Sequence, residues 1–198
     1  MRQIPLLLLA LAACTPAASS PDPAAGTVAA LPPAPAPSPT PTPAPSPGVS
    51  SADPLVGQTA PDFTATAQDG TSVHIGALSG KAVVVYFYPK DETPGCTKEA
   101  CSFRDAWAPL AKTGAILVGV SADSLDSHRA FVAHYKLPFL LVSDPDGSIG
   151  KKYGVPFASY HQRQTIVIGA NGKVSKVYRK VDVTAHAQEI LADLSAHP

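Results

Sequence analysis

The sequence predicts an α/β domain built around a central mixed β-sheet that is flanked by helices. Continuous apolar runs such as "KAVVVYFY" (81–88) are typical of strands that are buried on both faces. Segments with helical spacing of apolar residues separate these runs, and this alternation favours a layered α/β arrangement. The last two strand candidates are joined by "ANG" (170–172), so part of the sheet is expected to be antiparallel.

The elements of the domain can be placed in order from local signals. A helix should follow the strand at 81–88 and reach about Lys112. Pro109 should kink or end it near Ala108, which would leave Ala111 and Lys112 in a turn. The later elements are a strand at 115–121, a helix at 124–136 capped by Ser124, strands at 139–144, 163–169 and 173–179, and a helix at 184–196.

The composition limits the kinds of partner. The chain has 198 residues, of which 45% are apolar, so it can form one globular domain with appendages. Lys plus Arg and Asp plus Glu each total 15, and no basic run interrupts the mixture. We therefore expect no nucleic-acid-binding surface.

Residues 1–13 are interpreted as a signal peptide. The apolar run "IPLLLLALAA" (4–13) follows Arg2 and is shorter than the roughly 20 residues that span a bilayer. The run ends in "LAAC" (11–14), which resembles the lipobox of bacterial lipoproteins, so Cys14 should carry lipid. The expected location is then the bacterial cell envelope, with the domain facing the periplasm or the exterior. An ordinary signal peptide cleaved a few residues later is the alternative.

Residues 14–52 are interpreted as the lipidated cysteine followed by a disordered linker rich in Pro and Ala. Twelve of the 22 prolines lie within 15–48, where Asp22 is the only charged residue. Such a segment cannot bury a core and should act as a tether. A docking site for a proline-reading domain is an alternative. Residues 53–198 then form the folded domain.

The segment "YPKDETPGCTKEACSFRD" (88–105) contains Cys96 and Cys101 at the carboxyl end of a predicted strand. Open α/β sheets usually carry their sites at this edge. Thr93 can serve as the helix N-cap and Pro94 suits the first helical position. Cys96 should therefore lie in the first helical turn, where the helix dipole favours a thiolate over a thiol. This placement predicts a nucleophile.

These residues resemble the active site of peroxiredoxins, in which a proline, a threonine and the peroxide-attacking cysteine occur at fixed spacing. The corresponding residues here are Pro89, Thr93 and Cys96. The second cysteine, Cys101, resembles the pattern of the subfamily called bacterioferritin comigratory protein or peroxiredoxin Q. The resemblance covers about residues 53–198 and implies a thioredoxin-like fold of the peroxiredoxin type.

The resemblance also implies a mechanism without a cofactor or metal. Cys96 would reduce hydrogen peroxide or an organic hydroperoxide and become a sulfenic acid, which Cys101 would resolve as an intramolecular disulfide. Thioredoxin or a similar donor would reduce that disulfide. Thr93, Arg163 and the backbone N–H groups of Gly95 and Cys96 would assist the peroxide step. By the same resemblance the protein is expected to be a monomer.

Other interpretations remain open at this stage. An envelope thiol-disulfide oxidoreductase would require two residues between its cysteines, and a metal chaperone of the thioredoxin fold would require closer cysteines and a matched histidine. A purely structural disulfide is also possible. Thr93 could be only a helix cap, and Arg163 could be only a solvated strand residue. The histidines show no metal-ligand spacing and are interpreted as structural or surface residues: His74, His128, His134, His161, His186 and His197.

The spacing of the two cysteines predicts a conformational change. Residues five apart in a regular helix have Cα atoms about 8 to 9 Å apart, whereas a disulfide needs them within about 7 Å. We therefore expect that oxidation unwinds at least part of the segment from Cys96 to about Arg104.

Overall fold

A computed structural model describes residues 53–196 of the chain. The predicted signal peptide, the lipidation site Cys14 and the linker lie outside the described residues, as does His197. Between residues 53 and 196, no helix is long and apolar enough to cross a bilayer.

The main sheet has five strands in the order β5-β4-β3-β6-β7. The parallel half consists of β3, β4 and β5, whereas β6 runs antiparallel to both β3 and β7. The mixed sheet and its closing hairpin are therefore confirmed. The strands are β3 (Val83–Phe87), β4 (Ile116–Ser121), β5 (Leu140–Ser143), β6 (Gln164–Ile168) and β7 (Val174–Tyr178).

Helices flank this sheet, which confirms the α/β class. The helices are α1 (Pro94–Asp105), α2 (Trp107–Lys112), α3 (Leu125–Tyr135), α4 (Ser148–Lys152) and α5 (His186–Ala196). A two-stranded hairpin of β1 (Thr64–Thr66) and β2 (Ser72–His74) and a 3-10 turn (Ile75–Leu78) precede them and were not predicted.

Each face of the sheet buries its own apolar cluster, because successive strand residues point to opposite faces. On one face, Val84 and Tyr86 pack with Phe103 of α1 and Phe131 of α3. On the other face, Val85 belongs to a cluster that includes residues of the hairpin and of α4. Burial on both faces explains why β3 appears in the sequence as a continuous apolar run.

Two segments near the start of the domain cover the edges of the sheet. Gly57 N–H donates to the Val174 carbonyl at 2.8 Å, beside β7. On the opposite edge, Gln68 N–H donates to the Leu141 carbonyl at 3.0 Å, and the Gln68 side chain accepts from Leu141 N–H at 2.6 Å. Unpaired strand edges promote association with other chains, and these contacts satisfy part of each edge.

The break in the first predicted helix lies earlier than expected. The helix ends at Asp105 and α2 begins at Trp107, so Ala111 and Lys112 are helical rather than part of a turn. Pro109 is thereby placed in the first turn of α2, where a backbone N–H would have no intrahelical partner. With the break at Ala106, Pro109 is accommodated in α2 without the loss of a hydrogen bond within that helix.

Candidate active site

The carboxyl end of β3 and the start of α1 form the centre of the site. Residues 88–93 connect them, and Thr93 is extended (φ −79°, ψ 146°) at the N-cap position. Pro94 is the first helical residue, as predicted, since its fixed φ suits that position and it has no N–H to lose. Cys96 is the third residue of α1, and only 2% of its surface is exposed. The predicted position in the first helical turn is confirmed.

Thr93 occupies the cap position but does not cap the helix through its side chain. Its hydroxyl donates instead to the Lys90 carbonyl at 2.9 Å, which tightens the connecting loop. The expectation of a side-chain cap is therefore corrected. The proposed contact between Thr93 and the thiolate or the peroxide stays a prediction.

Arg163 directly contacts Cys96, the predicted nucleophile. Its Nη2 donates to Cys96 Sγ at 3.1 Å, and its Nη1 donates to the carboxylate of Glu99. The register of the sheet explains this position, because Phe87 of β3 pairs with Gln164 of β6. Arg163 therefore lies one residue before β6, beside the point at which β3 ends and the connecting loop begins.

Glu99 is the member of this group that sequence analysis missed. It lies one helical turn after Cys96, on the same face of α1, and is 1% exposed. Burial raises the pKa of Glu99 to about 7, and Arg163 opposes that shift. One guanidinium thus faces both a carboxyl group and a thiol in a buried setting. The only signal for this residue in the sequence was its spacing of three from Cys96.

Gly95 leaves space for the guanidinium. A Cβ atom at this position would lie 3.4 Å from Arg163 Nη2, at the lower limit of ordinary contact. Pro89 is the second residue of the connecting loop, directly after Tyr88, whose side chain is 1% exposed. Both predicted supporting residues therefore belong to the segment that carries Cys96.

Cys101 lies on α1 but in a different environment from Cys96. Both cysteines are unpaired, and Cys101 is half-buried whereas Cys96 is buried. Cys101 lines an open groove of about 430 Å³ between α1 and the segment that leads into α5. The other residues that line this groove include Lys98, Ser102, Asp105, Thr184 and Gln188.

Three of the predicted structural histidines are buried around the site: His128, His161 and His186. His186 Nε2 lies 2.8 Å from Thr165 Oγ1, two residues after Arg163. Burial lowers the pKa of His186, and the charge of Arg163 contributes in the same direction. Within residues 53–196, no three His, Cys, Asp or Glu residues are grouped as a metal site requires.

The fold and site define a class of protein: a thioredoxin-like α/β domain with a buried cysteine in the first turn of a helix, in contact with an arginine. The AhpC/TSA family matches residues 56–177. The chain is 44% identical over 147 residues to the peroxiredoxin bcp of Coxiella burnetii, covering 70% of this chain and 97% of that protein. It is 50% identical over 125 residues to the chloroplastic peroxiredoxin Q of Sedum lineare, covering 62% and 67%.

Solved structures give the same result. The peroxidoxin BcpB of Mycobacterium tuberculosis superposes with a TM-score of 0.68 at 34% identity, covering 73% of this chain and 98% of that chain. The bacterioferritin comigratory protein of Xanthomonas campestris has a TM-score of 0.65 at 36% identity, covering 68% and 91%. The chain belongs to the AhpC/TSA family, and its fold is that of the peroxiredoxins.

Replacing Glu99 should change how stability depends on pH. The folded protein keeps the Glu99 proton up to about pH 7, whereas the unfolded chain releases it near the usual value of 4.5. The free energy of unfolding of the wild type, relative to Glu99→Gln, should therefore fall as pH rises through this window, by at most ~1.4 kcal/mol per pH unit. Urea unfolding of both proteins between about pH 4.5 and about pH 8 measures this difference in the free energy of unfolding. Asp146→Asn, at an exposed site, is the control for the loss of one carboxylate. A pH-independent difference for Glu99→Gln would contradict the prediction.

Proposed function

We propose that Cys96 and Cys101 carry the thiol-dependent peroxidase activity of this peroxiredoxin, with Cys96 as the attacking residue. This assignment rests on the hydrogen bond from Arg163 Nη2 to Cys96 Sγ. The bond places the permanent positive charge of the guanidinium beside the sulfur, at the start of a helix. Among the described residues, Cys101 accepts no hydrogen bond from a guanidinium, and Arg104 acts on it only through its charge. Because only the Cys96 sulfur accepts this hydrogen bond, Cys96 attacks the peroxide first and Cys101 reacts in the second step.

In the first step, the Cys96 thiolate attacks one oxygen of the hydroperoxide. The S–O bond forms as the O–O bond breaks, and the departing oxygen takes a proton to leave as water or an alcohol. The negative charge on that oxygen needs nearby donors. The free N–H groups of the first helical turn belong to Gly95 and Cys96, since Pro94 has none and Thr97 N–H donates to the Thr93 carbonyl.

In the second step, the Cys101 thiolate attacks the Cys96 sulfenic sulfur. The disulfide forms and hydroxide leaves, to be protonated to water. Both residues belong to the intact helix α1 of the reduced protein, at a Cα separation of about 8 to 9 Å. Because a disulfide needs a shorter distance and converging Cβ directions, α1 must open before the bond can close.

A thioredoxin-like dithiol is the reductant that this chemistry requires. It attacks the disulfide through a mixed-disulfide intermediate and returns both cysteines to the thiol form. Opening α1 would bring the disulfide into the groove that Cys101 already lines, where an external thiol can reach it. We propose a monomer for the resting protein, since one chain contains both cysteines.

We also propose that the domain is tethered to the bacterial envelope through lipid on Cys14. The support is the sequence "LAAC" (11–14) at the end of a short apolar run, followed by a proline-rich linker. The domain would then face the periplasm or the exterior.

Single substitutions separate the two cysteines. Cys96→Ser should abolish peroxide consumption, because it removes the thiolate that breaks the O–O bond. Cys101→Ser should allow one turnover per chain and stop at a sulfenic acid on Cys96. Stoichiometric peroxide assays and a sulfenic-acid reagent read by mass spectrometry test this. Labelling of Cys101 with Cys96 intact and unlabelled would reverse the assignment.

Oxidation should reduce hydrogen-exchange protection along α1. Amides from Thr97 to Asp105 should exchange faster in the disulfide form, because the helix cannot persist with the two sulfurs bonded. Amides of β3 should keep their protection and serve as the internal control. Equal protection of α1 in both redox forms, with the Cys96–Cys101 disulfide confirmed by mass, would show that no unwinding is needed.

The lipid anchor predicts a change in partitioning. Full-length protein produced in a bacterial host should enter the detergent phase and carry acyl mass on Cys14, whereas Cys14→Ser should lose both properties. Phase separation followed by intact-mass analysis measures this. An unmodified Cys14 in soluble wild-type protein would rule out lipidation.

A further inference from the structure

Asp91 is buried in the loop that carries the nucleophile, yet it does not contact Cys96. Its carboxylate is held by three side chains: Tyr88 OH donates to Oδ1 at 2.7 Å, Ser127 Oγ donates to Oδ2 at 2.7 Å, and His128 Nδ1 lies 2.8 Å from Oδ2. Ser127 and His128 belong to α3, which follows β4 in the sequence. The loop is thus fastened to a helix about 36 residues later in the sequence.

The backbone of Asp91 is fastened as well. Its N–H donates to Asp123 Oδ2 at 2.8 Å, and the same oxygen accepts from Ser121 Oγ at 2.8 Å. Ser121 ends β4, so one residue of the catalytic loop is attached both to the sheet and to α3. We call Asp91, His128 and Asp123 the loop clamp.

The hydrogen bonds of the loop clamp stabilise the charged form of Asp91. Burial alone would raise the pKa of Asp91, but hydrogen bonds from His128, Ser127 and Tyr88 outweigh it and hold the pKa below its usual value. His128 is fully buried, and its Nε2 has no hydrogen-bond partner among the described residues. Its Nδ1 lies 2.8 Å from Asp91 Oδ2 and 3.4 Å from the Tyr88 hydroxyl, so removing the ring leaves the buried Asp91 carboxylate with fewer donors.

The backbone conformation next to the clamp requires restraint. Glu92 has φ 59°, in the left-handed region that a residue with a Cβ rarely adopts. It lies between Asp91 and Thr93, whose hydroxyl closes the loop onto the Lys90 carbonyl. A strained backbone conformation persists only when the surrounding contacts restrain it. At Glu92, the contacts of the loop clamp at the preceding residue, Asp91, supply that restraint.

We propose that Asp91 and His128 are positioning residues for the peroxide step. By fixing the loop they fix where α1 begins, and so they set the alignment of Cys96 Sγ with Arg163 Nη2. The inference rests on the proposed function, because Cys96 is taken as the attacking residue. Neither Asp91 nor His128 takes part in bond making.

The test compares His128→Leu with His128→Asn in the full chain carrying Cys101→Ser, so that only the first step is observed. Leu fills a similar volume but donates no hydrogen bond, whereas the Asn amide can donate from a position close to that of Nδ1. A misplacement of about 1 Å can cost on the order of 100-fold in rate. We expect a loss of about tenfold or more in the second-order rate constant with hydrogen peroxide for His128→Leu, and a value within about threefold of the parent for His128→Asn.

Two further variants distinguish positioning from general destabilisation. Asp91→Ala should match His128→Leu, and the double variant should be little worse than either one, because both remove the same interaction. Val177→Ala changes a buried residue of β7 in the apolar cluster on the opposite face of the sheet, and it should lower the melting temperature without slowing the peroxide step. If rate follows melting temperature across all variants, or if Asn fails to restore the rate, the inference is wrong.

A measurement independent of peroxide keeps the two proposals separate. In His128→Leu, the Asp91 amide should exchange faster with solvent than in the parent, and iodoacetamide should alkylate Cys96 at an altered rate. Unchanged exchange and alkylation in folded His128→Leu would overturn the loop clamp even if the protein is a peroxidase. Failure of the parent protein to consume peroxide, with the exchange result as expected, would instead overturn the proposed function and leave the clamp as a structural finding.

Discussion

One partly buried guanidinium contacts both polar groups at the centre of the site. Arg163 donates to Cys96 and to Glu99, which lie in successive turns of α1, so the same side chain fastens this helix to the start of β6. Burial raises the pKa of Glu99 to about 7, and the charge and hydrogen bond of Arg163 oppose that rise, so one guanidinium serves both a carboxyl group and a sulfur. When peroxide converts the thiolate into a neutral sulfenic acid, Arg163 loses one anionic partner. The chemical step would thereby weaken the attachment of α1 before the proposed opening of this helix.

The opening of α1 is confined by the structure on both sides. The loop clamp lies before the helix, and the break at Ala106 lies after it, so unwinding need not spread into β3 or α2. An isolated helix of twelve residues is marginal in water, so α1 depends on its packing for stability. Phe103 supplies much of that packing, and exposing it costs roughly 1.5 to 3 kcal/mol. The free energy of disulfide formation must offset this cost.

Local signals explain which elements could be predicted from the sequence. The apolar run predicted β3, the position of Pro94 predicted the start of α1, and Ser124 accepts from Ser127 N–H as an N-cap should. The hairpin of β1 and β2 was missed because each strand has only three residues and few apolar side chains. The pairing of Arg163 with Glu99 was missed because it joins residues 64 apart in the sequence. Such a contact follows from strand register, which no local pattern contains.

Buried histidines position both partners of the Cys96–Arg163 contact. On one side, His128 holds the loop that leads to Cys96. On the other side, His161 lies two residues before Arg163 with its Nε2 3.1 Å from the Asp144 carboxylate, while His186 contacts Thr165 two residues after Arg163. Gly150 makes room for the His161 ring, since a Cβ at position 150 would lie only 2.5 Å from that ring. The strand end that carries Arg163 is thus fixed on both sides. The alignment of sulfur and guanidinium is therefore a property of the whole domain, in which α3, α5 and the segment before β6 each contribute a buried imidazole.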